Sequence, residues 1–397
     1  MDRRFFLTAT LGSLAAARAI LPAAAQTAPP VTRWKVGASE GHDVFAFLGP
    51  LSGEPLYQTY YAADAAVFAP KLPDAIRADI SRLWKEAGQG FGLLGPGLST
   101  TCSGADLSSI DAVIANFDDL EGRVRPAYQA SPYWDAKDWA WLTVNAARLR
   151  AVFVAMRDAG FAAFRAERTA GIETRAAEIA RALAGYDVIK WQRKLTGRAF
   201  DPEISIVLLQ FSKPHGIKVQ GQTFLQSADY DVALTVRIAA HEMLHPPVPM
   251  DGAAAKAAMA VIGKDAVMMR IVREHDPRWG YTTLEGYLNE DICQALDQLI
   301  SEALGVARNP ADRWRKADDG MHVLAAGLYA LLRADKWIEN GGNVEQWLTK
   351  AVAAGRLAPQ ILHPAAARVL ERPVDRLWPL GQVGAQAGPA DTGSRLA

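Results

Sequence analysis

The chain has 397 residues, enough for one large domain or two of ordinary size. Half of the residues are apolar, so a sizeable core can form, and 43 basic residues balance 43 acidic ones. Because positive charge is not in excess, the composition argues against nucleic acid or an anionic lipid surface as a partner.

Residues 1–25 have the features of an export signal. Arg3 and Arg4 precede an Ala/Leu-rich stretch, and Ala23-Ala24-Ala25 indicates signal-peptidase cleavage. The segment resembles twin-arginine signals, with an ordinary secretory signal as the alternative, and both predict a periplasmic or secreted protein. No later stretch is long and apolar enough for a membrane span, so none is expected in the mature chain.

A mainly helical N-terminal region is predicted over residues 26–200. Short apolar runs between Gly and Pro over 34–70 predict loops and short elements, and the Gly/Ser/Thr-rich segment 90–104 predicts a loop. Helical spacing dominates elsewhere, with glycines expected to divide the last segment into two or three helices. The predicted helical segments are 72–87, 106–117 and 135–200.

The pattern changes in the C-terminal region, 201–378. Strand-like segments at 203–209 and 217–225 predict an antiparallel hairpin, and a helix over 231–245 follows directly. Further helices are predicted at 252–273, 283–304, 319–333, 344–353 and 359–370. Residues 379–397 are rich in Gly, Ala and Pro and predict a disordered tail. We therefore expect a predominantly helical α+β fold with a small antiparallel sheet beside helix 231–245.

The sequence His241-Glu242-Met243-Leu244-His245 has the spacing of a metal site. Two histidines four residues apart on a helix project from one face, so both imidazoles can reach one ion. Zinc suits such a site because it accepts nitrogen and oxygen ligands and makes bound water more acidic. Glu242, next to the first histidine, is then placed to act as general base.

This motif resembles that of the zincin metallopeptidases, and the chain looks similar to their gluzincin branch. In that branch a Glu on a later helix supplies the third ligand, and Tyr287-Leu288-Asn289-Glu290 matches the family's Asn-Glu pattern. Glu290 is therefore the favoured ligand and Glu285 the first rival, although Thr282-Thr283-Leu284-Glu285 also fits a helix-capping box. Glu274, His275 and Asp291 are the remaining candidates.

The resemblance leaves the partners of these ligands open. In the thermolysin-like group an Asp often stands four residues after the ligand Glu, whereas Gln294 stands there in this chain. The gluzincins also use a Tyr or His to stabilise the oxyanion, for which Tyr281, Tyr287 and His322 are candidates. Cys102 and Cys293 can form a disulfide in an oxidising compartment or remain two buried thiols.

The expected function is zinc-dependent hydrolysis of a peptide or protein substrate. His241, His245 and Glu290 would hold Zn²⁺, and Glu242 would take a proton from the attacking water and pass it to the leaving amine. Two alternatives remain: a zinc hydrolase acting on another substrate, and a helical envelope scaffold or binding protein whose motif is inactive. The sequence indicates neither the cleavage specificity nor the oligomeric state.

Overall fold

A computed structural model describes residues 30–379 of the chain. The described part is predominantly helical with one small sheet, as the sequence predicts. The predicted export signal and residues 380–397 of the predicted tail lie outside the described residues. None of the helices in the described part combines the length and apolar character that a membrane span requires.

The first half of the molecule is a helical layer around an aromatic core. Phe47, Phe68, Phe161, Phe164 and Phe211 pack against one another within this core. The helices of this layer are α1 (Glu40–Ser52), α2 (Pro55–Phe68), α3 (Asp74–Ala87), α4 (Leu94–Cys102), α5 (Ile110–Asp118), α6 (Leu120–Arg123), α7 (Arg125–Ala130), α8 (Ala136–Asp158) and α9 (Phe161–Arg168).

Two loop predictions in this half are wrong. Segment 34–70 contains α1 and α2, and segment 90–104 contains α4. Both segments carry Gly and Pro inside helices that are buried on several sides, so tertiary packing overrides their low helix propensity. In α4, for example, Gly95 approaches the backbone of α1 so closely that a Cβ atom would lie 2.7 Å from the Phe45 carbonyl oxygen.

The predicted breaks of segment 135–200 at its glycines are confirmed, but the prediction of two or three helices is wrong, since there are four. Gly160 and Gly171 have φ values of 81° and 84° and immediately precede α9 and α10 (Ile172–Leu183). Such left-handed conformations favour glycine, which has no Cβ to clash. Gly185 lies in the turn before α11 (Val188–Thr196), so the segment contains four helices.

The sheet is mixed rather than antiparallel, which corrects the prediction. Its strands are β1 (Arg33–Ala38), β2 (Glu203–Leu209), β3 (Ile217–Val219) and β4 (Thr223–Ser227), in the order β1-β2-β4-β3. β2 pairs in parallel with both β1 and β4, and only β3 and β4 are antiparallel. The segment predicted as one strand over 217–225 is thus itself a hairpin, with Gly221 in its turn at a φ of 73°.

The two faces of the sheet pack on different cores. On β2, Ile204, Ile206 and Leu208 belong to the large core of the second half, whereas Leu209 packs with Ile217, Val219 and Leu225 on the opposite face. Lys218 lies opposite Phe224, whose side chain is in the large core. Because directly paired residues share a face, Lys218 projects toward the second half.

The second half packs its helices around α15, which the other helices largely enclose. The helix boundaries predicted at 283–304, 344–353 and 359–370 agree with the structure to within one residue, whereas segment 252–273 is two helices. The helices are α12 (Val232–Glu242), α13 (Ala253–Ile262), α14 (Ala266–Glu274), α15 (Leu284–Ala303), α16 (Pro310–Lys316), α17 (Val323–Ala334), α18 (Trp337–Asn340), α19 (Val344–Ala353) and α20 (Pro359–Leu370).

Candidate metal centre

The first two predicted ligands lie at the end of α12. Asp231 caps this helix by accepting a hydrogen bond from the Leu234 amide, and the helix ends at Glu242 rather than at His245 as predicted. His245 follows in the turn beyond the helix, yet its ring centroid is only 4.8 Å from that of His241. The two Nε2 atoms are 3.0 Å apart, so the expected convergence of the histidines survives the earlier helix end.

The third ligand candidate lies on α15. Thr283 caps this helix by accepting a hydrogen bond from the Gly286 amide, and Glu285 in its first turn is exposed. Glu290 is fully buried, although the sequence pattern places it opposite the apolar face of the helix. The reason is that α15 runs through the core of the second half and is buried on nearly every side.

His241, His245 and Glu290 converge, with one potential ligand atom from each lying within 4.8 Å of the others. The His241 Nε2 lies 3.5 Å from Glu290 Oε1, and the His245 Nε2 lies 3.4 Å from Glu290 Oε2. A tetrahedral zinc site with bonds of about 2.0–2.1 Å has ligand–ligand edges of about 3.3–3.4 Å. The Glu290 Oε2 is buried and accepts no hydrogen bond, as expected of an atom that faces a cation. The donor set therefore fits zinc.

An outer carboxylate orients His241. The His241 Nδ1 lies 2.7 Å from Asp297 Oδ2, which leaves the His241 Nε2 directed toward His245 and Glu290. Arg313 donates to both carboxylate oxygens of Asp297 and, over 2.5 Å, to Gln294 Oε1. Such carboxylate–histidine contacts fix the ring and its tautomer at metal sites.

Asp297 is not predicted from sequence, because the resemblance points to the position of Gln294 for the outer partner of a histidine ligand. Asp297 stands seven residues after Glu290, which is two helical turns, so both project from similar faces of α15. That spacing was a readable signal. Gln294 has a different task, since its Nε2 donates to Glu290 Oε1 over 2.8 Å and so orients that carboxylate.

His245 has weaker outer contacts. Its Nδ1 lies 3.4 Å from Asn289 Oδ1 and 3.4 Å from Cys293 Sγ. Cys293 is not bonded to Cys102; both are buried free thiols, and each lies in a different core cluster. Of the two alternatives predicted from sequence, the structure shows two separate buried thiols and not a disulfide.

Glu242 has the environment of a proton-transfer group. Its side chain is buried, and its Oε2 has no hydrogen-bond partner. Burial raises its pKa to about 8, while the positive charges of His241 and Lys218 oppose that rise. A carboxyl group with a pKa near neutrality can both accept and return a proton.

The two histidines differ in basicity. Burial disfavours a charge on His241, but the nearby Glu290 and Asp297 outweigh it and raise the pKa of His241 well above its ordinary value. Burial, and then the charge of His241, lower the pKa of His245 to about 4. An ion held by both Nε2 atoms must therefore displace a proton from His241.

Only one of the three predicted oxyanion donors contacts the ligand set. Burial, followed by the charge of Glu290 and a hydrogen bond to it, raises the pKa of Tyr281 well above its ordinary value. Tyr287 instead donates to the Met321 carbonyl oxygen over 3.0 Å and accepts from the Leu324 amide. His322 is buried between Asp291 and Asp318, 2.6 Å and 3.0 Å away.

The first half contributes a residue that sequence reasoning did not find. Tyr133 lies in the turn between α7 and α8, and after burial the negative charge of Glu242 is what raises its pKa. Tyr133 is separated from the His241–His245 motif by more than a hundred residues, so no local sequence pattern places it near Glu242.

The remaining candidate ligands lie elsewhere. Glu274 is exposed. His275 contacts two backbone carbonyl oxygens, 2.7 Å away in Ile271 and 2.5 Å away in Gly280. Asp291 contacts His322 and accepts from the Ala325 amide, so none of these three joins the converging donors.

The chain matches no family model, and no curated protein or solved structure is significantly similar to it. The site must therefore be interpreted from its own geometry.

Proposed function

We propose that this protein is a zinc-dependent hydrolase that cleaves peptide bonds. The observation that carries the proposal is the convergence of His241, His245 and Glu290, whose donor atoms lie 3.0–3.5 Å apart, close to the edges of a tetrahedral zinc site. Asp297 and Gln294 add support, because they orient two of the three donors through hydrogen bonds. A chance cluster of histidine and glutamate would not be expected to include residues that orient the donors in this way.

Zinc held by these residues would supply a Lewis acid that polarises the substrate carbonyl and makes a water molecule more acidic. Glu242 takes the proton from that water and delivers it to the amine that leaves. Its burial and its pKa of about 8 suit both transfers. Tyr281 and Tyr133 are placed near Glu290 and Glu242, respectively, and are the candidates for contact with the substrate oxygen.

The choice of a peptide as substrate rests on the resemblance of the His-Glu-x-x-His motif to that of zincin peptidases. The export signal predicted from residues 1–25 completes the proposal, with the periplasm or the exterior as the site of action.

Metal content is the first test. Purified protein lacking residues 1–25 is dialysed with zinc, and the metal bound per chain is measured beside a His241→Ala variant. We expect one zinc per chain, lost in the variant. No bound zinc in a folded wild-type protein would instead favour an inactive scaffold.

Activity is the second test. Glu242→Gln should keep the zinc and lower the rate of peptide hydrolysis about 100- to 10,000-fold, the usual contribution of a general base. Glu173→Gln on the exposed surface of α10 is the matched control and should change nothing. Full activity in Glu242→Gln would rule out the proposed role of Glu242. Zinc binding with hydrolysis of esters or cell-wall amides, and not of peptides, would change the substrate class.

A further inference from the structure

Two basic side chains lie beside the candidate metal centre and contact backbone carbonyl oxygens there. Lys218 on β3 donates to the His245 carbonyl oxygen over 3.3 Å. Arg198, after α11, donates to the carbonyl oxygens of Leu244 and Pro246. In residues 30–379 neither side chain forms an ion pair with a carboxylate.

The position of Lys218 follows from the sheet. β3 is an edge strand, and Lys218 projects from the face that looks toward α12, since it pairs with Phe224. The side chain is partly buried, and its charge acts on both Glu242 and Cys293. It therefore reaches the region between the general base and the turn that holds His245.

A partly buried cation that forms no ion pair is costly, because its desolvation is only partly offset by more distant charges, here those of Glu242 on Lys218 and of Glu345 on Arg198. An ammonium group has three donors, and the contact with His245 uses one of them. Arg198 lies close enough to disfavour the charge on Lys218, which adds to the cost. A negatively charged ligand group that binds both cations would remove this penalty.

We propose that Lys218 and Arg198 form a subsite for the free C-terminal carboxylate of the substrate, so that the enzyme removes residues from the C-terminal end of peptides. The inference rests on the proposed function and specifies its substrate. With the carboxylate held beside Glu242, the scissile bond is the last peptide bond of the chain. One water is consumed, the C–N bond is replaced by a C–O bond, and the released amino acid keeps the proton on its amine.

The test uses pairs of N-acetylated peptides of mixed sequence, each as the free acid and as the C-terminal amide. The zinc-loaded wild-type protein should release the last residue from the acids and leave the amides nearly intact. Lys218→Met should lower kcat/KM for the acids roughly 10- to 100-fold, the effect of losing a hydrogen bond to a charged group. The amides should be unaffected, and Lys218→Arg should retain the preference.

Lys35→Met is the matched control. Lys35 is an exposed lysine in the middle of β1, the opposite edge strand of the same sheet, and its loss should not change the preference. If the wild-type protein cleaves acids and amides equally, or cleaves internally, the subsite proposal is wrong and the peptidase proposal stands. If Lys218→Met slows both substrates to the same extent, Lys218 acts on Glu242 rather than on the substrate.

A binding measurement separates failure of the subsite from failure of the proposed function. Zinc-loaded Glu242→Gln should bind an acid peptide more tightly than its amide, and Lys218→Met in that background should remove the difference. Equal binding of acid and amide would overturn the subsite. Absence of all peptide hydrolysis by the wild-type protein, with the acid preference in binding intact, would instead overturn the peptidase assignment.

Discussion

The two longest helices among residues 30–379, α8 and α15, bury very different side chains. α8 buries an apolar stripe whose single polar member, Asn145, donates to the Trp141 carbonyl oxygen within the same helix over 2.9 Å. α15 is enclosed on most sides, and its buried residues alternate between apolar and polar types. The buried polar residues of α15 are Glu290, Asp291, Gln294, Asp297, Gln298 and Ser301.

This difference is what the proposed zinc site would require, because a buried ligand helix must carry charged groups that a purely structural helix does not need. Removing a carboxylate from water costs several kcal/mol unless a cation or hydrogen bonds compensate for it. In α15, Asp291 pairs with His322 and Asp297 pairs with Arg313, whereas Glu290 Oε2 accepts no hydrogen bond and has only His245 nearby. The incomplete compensation at Glu290 supports the proposal that this carboxylate is a zinc ligand.

Replacing the unmatched carboxylate should give the largest effect. Glu290→Gln keeps the shape of the side chain and the contact with Gln294 but removes the charge that an ion needs. Zinc affinity, measured by competition with a chelator, should fall by more than the roughly 10- to 100-fold typical of an outer partner. Glu285→Gln, exposed in the first turn of the same helix, is the control. A loss of zinc only in Glu285→Gln would reverse the ligand assignment.

The outer carboxylate should give an intermediate effect. Asp297→Asn retains an oxygen that can accept from His241 Nδ1, but it removes the negative charge and unbalances Arg313. We expect zinc affinity to fall roughly 10- to 100-fold. Asp312→Asn on the exposed side of α16, where Asp312 pairs with Arg315, should leave zinc affinity unchanged. Unaltered affinity in Asp297→Asn would mean that Asp297 has only a structural task.

The short-range part of the site was predictable from sequence, and its long-range part was not. His241, Glu242 and His245 are found because their spacing alone places two imidazoles together. Glu290 required a resemblance, since the apolar pattern of α15 suggests a single buried face while the helix is enclosed by neighbours that the sequence does not show. Arg313, which completes the contact with Asp297, could not be found from any local pattern.

The same division applies to the fold. Most helices predicted from capping and periodicity, and the breaks at Gly160, Gly171 and Gly185, are confirmed because these signals are local. The sheet was misassigned because its central pairings are parallel and join distant segments: β1 pairs with β2 about 170 residues later. The Gly and Pro residues of α1 and α4 predict loops, but close packing between these two helices requires glycine at position 95.

The smallest effect on zinc is expected at Tyr287, which the sequence offered as an oxyanion donor. Its hydroxyl bridges the Met321 carbonyl oxygen and the Leu324 amide, and so fixes the start of α17 against α15. Tyr287→Phe leaves both groups buried without that partner and should lower the free energy of unfolding by about 1–3 kcal/mol, measured by denaturant titration.

Zinc content and the hydrolysis rate per folded molecule should be unchanged in Tyr287→Phe, because the hydroxyl contacts backbone groups of the 321–324 segment rather than the converging donors. Tyr60→Phe, a partly buried tyrosine of the first half, controls for the loss of a phenolic hydroxyl as such. The opposite result, normal stability with a large loss of rate, would place Tyr287 in the reaction. It would also mean that α15 supplies the substrate-binding groups as well as the metal ligand, which would extend its contrast with α8.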